Sequence, residues 1–362
     1  MTQGLAEIDA RVRSGELPAT AVVGGIPLVV RPLRQLARLG WRSARVLVED
    51  AGAASRVREA LERHPVPSLA VEVVAGAGPE NGALDARAIY RQADLAAAAR
   101  PGDAEPIARV RSADDAAAAE RMLYAQIRKS VEGDGFFAHH FIRPLTRPLT
   151  RALLPTRVSP NQITFLALAC ALAAAFLAAG GGGLVALAGV LYWVGNALDC
   201  VDGDLARLRL QSSKLGEWLD SMTDEISTFS LLAGLGVGLW RDGAGVEWLW
   251  IGAGGSAVGA ITVACLYADL HRMRLPIDTA QFPWFFSRPA GSAPSSSRVG
   301  ALLGGLGYLI RRDANVTGVT AMLLVGWREL ATGLVAAGAA AGALVTLTHY
   351  VVTAIRSSRT PT

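Results

Sequence analysis

Seven carboxylates crowd into two stretches that otherwise read as apolar helices: Asp199, Asp202 and Asp204 in one, and Glu217, Asp220, Asp224 and Glu225 in the next. A charge at the centre of a bilayer costs about 2.5–3.5 kcal/mol, so acids inside an apolar helix mark a functional site. Asp199 and Asp202 are three residues apart and Asp220 and Asp224 four apart, which puts each pair on one helical face. The two stretches run in opposite directions through a short loop, so both pairs reach the same depth. Four facing carboxylates repel one another unless cations sit between them. An all-oxygen donor set suits Mg²⁺ or Mn²⁺ rather than zinc. Gly203 lets a ligand approach beside the acids, and Arg207 follows one turn later with a charge for phosphate. The pattern predicts phosphoryl transfer assisted by two metal ions.

The elements that hold these residues are membrane helices. Hydrophobic residues make up 51% of the chain, aromatics only 6%, and there are 39 glycines. The apolar excess therefore lies in Ala, Leu, Val and Gly, the mixture that close-packed transmembrane helices use. Collagen, coiled coil and wholesale disorder are excluded. Gly234-x3-Gly238 and Gly300-x3-Gly304 permit close helix contacts, a weak signal in so glycine-rich a chain. The three cysteines, Cys170, Cys200 and Cys265, all fall in apolar stretches without a CxxC, so buried thiols are expected rather than a disulfide framework or zinc site. His139, His140, His271 and His349 have no ligand spacing and read as interfacial or packing residues.

Six spans are expected, near 161–180, 184–206, 215–239, 247–270, 314–331 and 332–355, with outer turns at Gly180–Gly183, Arg241–Gly245 and Arg328-Glu329. Ser159-Pro160-Asn161-Gln162 opens the first with a capping residue, Pro at the first helical position and Gln three after the cap. Val299–Ile310 is too short to cross and reads as interfacial or re-entrant. Before the first span, Phe141–Arg157 repeats a four-residue unit. It sets Phe141, Leu145, Leu149 and Leu153 on one helical stripe and Arg143, Arg147 and Arg151 on another, the pattern of a basic helix lying on a membrane surface, distorted by Pro144 and Pro148. The net charge is +4, and the chain holds two lysines, Lys129 and Lys214, the other basic residues being arginine. Arginines of the predicted loops fall overwhelmingly on one side, with Arg241 and Arg328 on the other. The positive-inside rule then puts both termini and the acidic site on the cytoplasmic side of the inner membrane.

Residues 1–114 are charged and broken by Gly and Pro, and read as a soluble α/β domain: strands at Ile26–Val30, Arg45–Glu49 and Val71–Val74, with a helix at Arg31–Leu39 ending on Gly40. The first twenty residues carry Glu7, Asp9, Arg11, Arg13 and Glu16 and no apolar core, so a cleavable signal peptide is not expected. Residues 115–160 read as a linker helix followed by the basic interfacial helix, and 161–356 as the membrane domain.

Asp199-x2-Asp202-Gly203-x2-Ala206-Arg207-x8-Gly216-x3-Asp220-x3-Asp224 fixes eight residues over twenty-six positions and resembles, with no position missing, the signature of the CDP-alcohol phosphatidyltransferases. The resemblance covers about residues 140–356 and includes Pro160, Asn161 and Thr164 at the start of the first span. It implies transfer of a phosphate-linked alcohol from a CDP-activated donor to a hydroxyl with release of CMP. Asp199, Asp202 and Asp220 would hold the metal pair. Asp224, also near the metals, would activate the acceptor hydroxyl as base. Gly203, Ala206, Arg207 and Gly216, with Asp202, Asn161 and Thr164, would bind CDP. Asp204, Glu217 and Glu225 occupy variable positions of the signature and are not taken as ligands. Arg272, Arg274, Arg311 and Arg312 are positive-inside residues or a pocket for an anionic acceptor. The donor is CDP-diacylglycerol or CDP-inositol and the acceptor a polar or lipid alcohol, with membrane lipid as surroundings. A homodimer fits the family, and no nucleic acid is expected.

Gly25-Ile26-Pro27-Leu28 and the following helix resemble sugar-phosphate nucleotidyltransferases over some fifty residues. The glycine-rich loop before Pro27 and any lysine in residues 1–128 are missing, so an inactive appendage is expected. The rival readings are a bifunctional enzyme that makes and uses CDP-inositol, a non-enzymatic ion or lipid transport protein, and a dead membrane anchor. The complete signature argues against the last two.

Overall fold

The computed structural model describes residues 5–12, 16–76, 83–127, 134–275, 282–284 and 312–358, the last three of these in backbone only. The chain forms two compact units, one of Met1–Arg128, Pro148–Arg157 and Asp204–Gln211 and the other of Lys129–Arg147, Val158–Gly203 and Ser212–Thr362.

The first unit is built on a four-stranded parallel sheet of β1 (Ala6–Asp9), β4 (Ser43–Val48), β5 (Ala70–Ala75) and β6 (Leu84–Asp85), in the order β5-β4-β1-β6. Val46, Leu47 and Val48 are all buried, the continuous apolar run expected of an inner parallel strand. The amphipathic helices α1 (Val30–Arg38) and α2 (Ala51–Arg63) supply Leu33, Leu36, Ala53, Ala54 and Val57 to the core with Ile8 and Val46. Asp50 starts α2 by accepting the Ala53 N–H at 2.7 Å.

Two expectations are corrected here. The sequence does not announce β1, because Ala-Glu-Ile-Asp alternates apolar with acidic residues and lacks an apolar run. The predicted strand Ile26–Val30 does not form: β2 (Val22–Val23) and β3 (Ile26–Pro27) make an antiparallel hairpin around Gly24 and Gly25, and the helix starts at Val30. Both glycines have positive φ, +57° and +81°, as a tight primed turn requires.

A second small core joins Val23, Leu28, Ile89 (in β7, Ala88–Ile89) and Val110, just after β8 (Ala108–Arg109), to three further segments. These are α4 (Ala113–Ile127), the chain around Leu154, and Leu205 and Leu208 from the last turn of α7 (Leu184–Leu208). Buried arginines tie these pieces to backbone carbonyls: Arg31 to Val23, Gly24 and Leu208, and Arg209 to Leu153, Leu154 and Thr156. Arg209 thereby satisfies carbonyls left open at the end of α5 (Arg143–Leu153), where a cation is also favoured by the helix dipole.

The second unit is helical: α6 (Pro160–Gly180), α7, α8 (Lys214–Arg241), α9 (Val246–Arg272), α10 (Arg312–Leu324) and α11 (Arg328–Ser358). Its start is the predicted one, with Ser159 Oγ accepting the Gln162 N–H and Gln162 Oε1 accepting the Ser159 N–H at 2.8 Å. Helix α8 packs between α6 and α9, and α9 against α11. Among the described residues four helices are long and apolar enough to cross a membrane: α6, α7, α9 and α11 up to Ile355. They mark an integral membrane protein. Helix α8 has the length to cross, but its acidic first half lowers its hydropathy.

The predicted fifth span and its outer turn are corrected. Helix α10 ends at Leu324, and the chain turns at Gly326, φ +82°, with Trp327 N–H donating to Met322 O at 2.8 Å. Arg328 and Glu329 open α11 instead of forming the turn. Only glycine adopts that backbone at no cost, and it stops the helix before the polar pair. The stretch Val299–Ile310 lies outside the described residues.

A π-helical turn, Ala138–Ile142, leads into α5, which ends at Leu153 rather than Arg157. Phe141, Leu145 and Leu149 are exposed as the surface stripe requires. Arg143 is not: it turns inward and is buried in an ion pair with Asp134, which lets a charge leave the surface without being left unpaired. Of the cysteines, Cys200 is buried, Cys170 half-buried and Cys265 exposed, so the buried-thiol expectation holds only for Cys200. His349 packs against Phe282 and Trp284.

Candidate active site

Helix α8 is capped by Ser213, whose Oγ accepts the Gly216 N–H at 3.0 Å. That cap fixes where the first turn starts, and hence the direction in which Asp220 and Asp224 leave the helix one turn apart. Asp199 leaves α7 toward the same point. Carboxylate oxygens of Asp199, Asp220 and Asp224 lie within 4.8 Å of one another. At that spacing each like-charged pair repels by about 3 kcal/mol at an effective dielectric of about 20. Arg312, from the start of α10, answers part of this: its guanidinium pairs with Asp224 and lies 3.5 Å from Asp199 Oδ2. Among the described residues Arg312 is the cation seen on Asp199 and Asp224. Asp199 Oδ1 is buried and accepts no hydrogen bond among the described residues, a lone pair with no use except toward a further cation. The donor set, all carboxylate, fits a hard divalent ion.

Asp202 is 5% exposed, and its Oδ2 accepts from the Thr164 hydroxyl of α6 at 2.5 Å. Its carboxylate also lies near enough to Asp199 and Asp220 to interact electrostatically with both. Gly216 lies beside Asn161: a Cβ there would meet Asn161 Oδ1 at 3.7 Å and Ser213 Oγ at 3.3 Å, so a methyl fits only tightly. Gly203 and Ala206 are half-buried along α7. Arg207 pairs with Asp204 at 2.9 Å.

The four arginines given to an acceptor separate. Arg312 stands on the carboxylates. Arg272 is exposed and pairs with Asp269 at 3.3 Å, and Arg274 is exposed in the turn after α9 at φ +57°. Arg311 lies outside the described residues. Asn196 was missed from sequence. It is buried, its Nδ2 donates to nothing among the described residues, and it shares with Asp199, Thr223, Ser227 and Arg312 a void of about 10 Å³, the size of one water. The signal available was an amide inside a span three residues before Asp199.

Helices long and apolar enough to cross a membrane thus bring acids to one point where a hard divalent ion fits. Residues 157–284 match the CDP-alcohol phosphatidyltransferase family, a family that uses divalent metal ions, CDP-linked donors and alcohol acceptors. The chain is 38% identical over 119 residues to a bifunctional IPC transferase and DIPP synthase of Thermococcus kodakarensis, covering 32% of this chain and 26% of the relative. It is 37% identical over 101 residues to an archaetidylinositol phosphate synthase of Pyrococcus horikoshii, 27% of this chain and 53% of the relative. Against a phosphatidylinositol phosphate synthase of Mycobacteroides abscessus it is 26% identical over 132 residues, 36% of this chain and 55% of the relative. The chain therefore spans between about a quarter and about half of the length of these relatives.

Proposed function

We propose that the protein transfers a substituted phosphate from a CDP-linked alcohol to an acceptor hydroxyl and releases CMP, in phospholipid or inositol-phosphate-type synthesis. The observation that carries this reading is the meeting of Asp199, Asp220 and Asp224 from two helices at signature positions. Asp199, Asp220 and Asp224, with Asp202, would hold two Mg²⁺ or Mn²⁺ ions. When bound, the ions neutralise charge developing on the departing CMP. Asp224 serves as base, taking the proton of the acceptor hydroxyl onto a carboxylate oxygen. Thr164 holds Asp202 in place by its hydrogen bond. Gly203, Ala206 and Gly216 leave room for the nucleotide beside backbone, and Arg207 with Asn161 meets its polar groups. Arg312, already at the carboxylates, orients an anionic acceptor, with Arg311 next to it in sequence. Arg272 and Arg274 are kept as outer contacts for the same acceptor.

The domains proposed are 1–114, 115–160 and 161–356, with α8 and the α10 region completing six spans. Both termini and the site face the cytoplasm, where a water-soluble nucleotide and a lipid both reach the acids. A homodimer through the spans follows the family plan. The donor is CDP-diacylglycerol or CDP-inositol.

The test is CMP release by detergent-purified protein with Mg²⁺ or Mn²⁺, each donor offered separately against a panel of acceptors, with Asp224→Asn as control. Metal-dependent CMP from one donor, lost in the variant, supports the reading; silence with every donor despite CDP binding overturns it. The bifunctional reading gains from relatives whose names include both activities and loses from the missing glycine-rich loop. It predicts CTP-dependent pyrophosphate release by the full chain.

A further inference from the structure

The α/β unit contains a cavity of about 400 Å³, large enough for a nucleotide or a phosphorylated sugar. Arg31 and Arg38 reach it from α1, Arg91 from the residue before α3 (Gln92–Ala97), and Arg207 from the last turn of α7. Among the described residues no carboxylate lines it. Arg31 is nearly fully buried and forms no ion pair among the described residues; burial, helped by Arg34, pulls its guanidinium down to about 10, still charged at neutral pH. Arg207 has one carboxylate partner, Asp204, which leaves its Nε buried without an acceptor among the described residues. On the same wall Gln92 keeps its Nε2 on Gln35 O, while Gln92 Oε1 is buried and accepts nothing among the described residues. An unused charged donor and an unused acceptor in one cavity with an excess of guanidinium groups call for a ligand that carries several negative charges and also donates a hydrogen bond. Leu123, Ile127 and Leu208 give it an apolar side for a ring.

From this arrangement we infer that the α/β unit has its own ligand site, in which Arg31, Arg38 and Arg91 bind a water-soluble phosphate ester carrying a hydroxyl or amino donor, with Arg207, given above to the donor nucleotide, on its wall. A nucleoside diphosphate and a cyclitol or sugar phosphate share that chemistry. The charge of the cavity does not depend on what the acidic cluster does, and the test keeps the two apart.

Binding is measured by equilibrium dialysis on the full chain in detergent, in EDTA and in an Asp224→Asn background, so that metal-dependent binding at the acids is silent. The probes are CDP, inositol 1-phosphate and inorganic phosphate. One of the first two binds at micromolar concentration, at least tenfold tighter than inorganic phosphate, and which one it is names the source. Arg38→Ala with Arg91→Ala, both at exposed positions, weakens that binding at least tenfold while the unliganded thermal transition stays put. Arg91→Glu weakens it further. The inference is overturned if neither organic phosphate binds in EDTA, if inorganic phosphate binds as well as they do, or if the arginine variants leave the affinity unchanged. Retained metal-dependent CMP release beside lost EDTA-insensitive binding separates failure of this site from failure of the transferase reading.

Discussion

Asp199, Asp220 and Asp224 reach one point from two long helices, each anchored by a hydroxyl cap or by packing along several turns. Arg31, Arg38, Arg91 and Arg207 reach their cavity from a short helix, a loop and a final helical turn that are distant in sequence. The first assembly gathers carboxylates, the second guanidinium groups. Helical spacing encodes the first assembly, because residues three and four apart must share a face. Tertiary contact alone encodes the second, and no local pattern announces it.

Substitutions test how far the difference extends. The largest effect is expected at the acids: Asp224→Asn lowers CMP release by about a thousandfold or more, with metal and CDP binding partly kept, while Asp202→Asn weakens metal binding itself, read by Mn²⁺ titration. If both variants keep wild-type turnover, the acidic centre is not the reacting one. Next comes the framework of the arginine side. Arg209→Ala leaves the carbonyls of Leu153, Leu154 and Thr156 without a buried charged donor. It destabilises the α/β unit by about 3 kcal/mol, seen as an early step in thermal unfolding with turnover conditions unchanged. Arg312→Ala removes the cation that pairs with Asp199 and Asp224. Loss of a charged hydrogen bond of about 1.5–3 kcal/mol predicts about a ten- to hundredfold rise in KM for an anionic acceptor with Mn²⁺ affinity kept or tightened. An unchanged KM would take Arg312 out of acceptor binding. The smallest effect is expected at the exposed pair Arg63–Glu59 on α2, where Glu59→Ala shifts stability by about 0.5 kcal/mol or less because solvent screens both partners.

The same contrast governs what the sequence reveals. The capping box at Ser159, the spans α6, α7 and α9 and the acidic register were all legible, since each rests on local spacing or on composition over one helix. The helix break at Gly326 was not, because a lone glycine inside an apolar run signals nothing until the polar pair Arg328-Glu329 is seen to begin a new helix. The hairpin around Gly24 and Gly25 hid inside an apolar stretch that continues into α1. Two side chains found partners far along the chain: Asp202 the Thr164 hydroxyl, thirty-eight residues away, and Arg312 the carboxylates of Asp199 and Asp224. Arg143 did so locally, nine residues back to Asp134. Periodicity assigns a face but not the partner a flexible charged group selects there.

Arg312 has a neighbour whose position carries a mechanical meaning. Asp313 is buried, and its Oδ2 accepts the N–H groups of Phe137 at 2.8 Å and Ala138 at 3.1 Å, where the chain turns into the helix bearing Phe141 and Leu145. Consecutive residues on one helix point about 100° apart and rotate as one body. Helix α10 therefore works like a key with two teeth, one in the acidic lock and one in the backbone that leads to the surface helix. Neighbouring residues at the start of α10 thus hold two places at once, the carboxylates of Asp199 and Asp224 and the amides of Phe137 and Ala138.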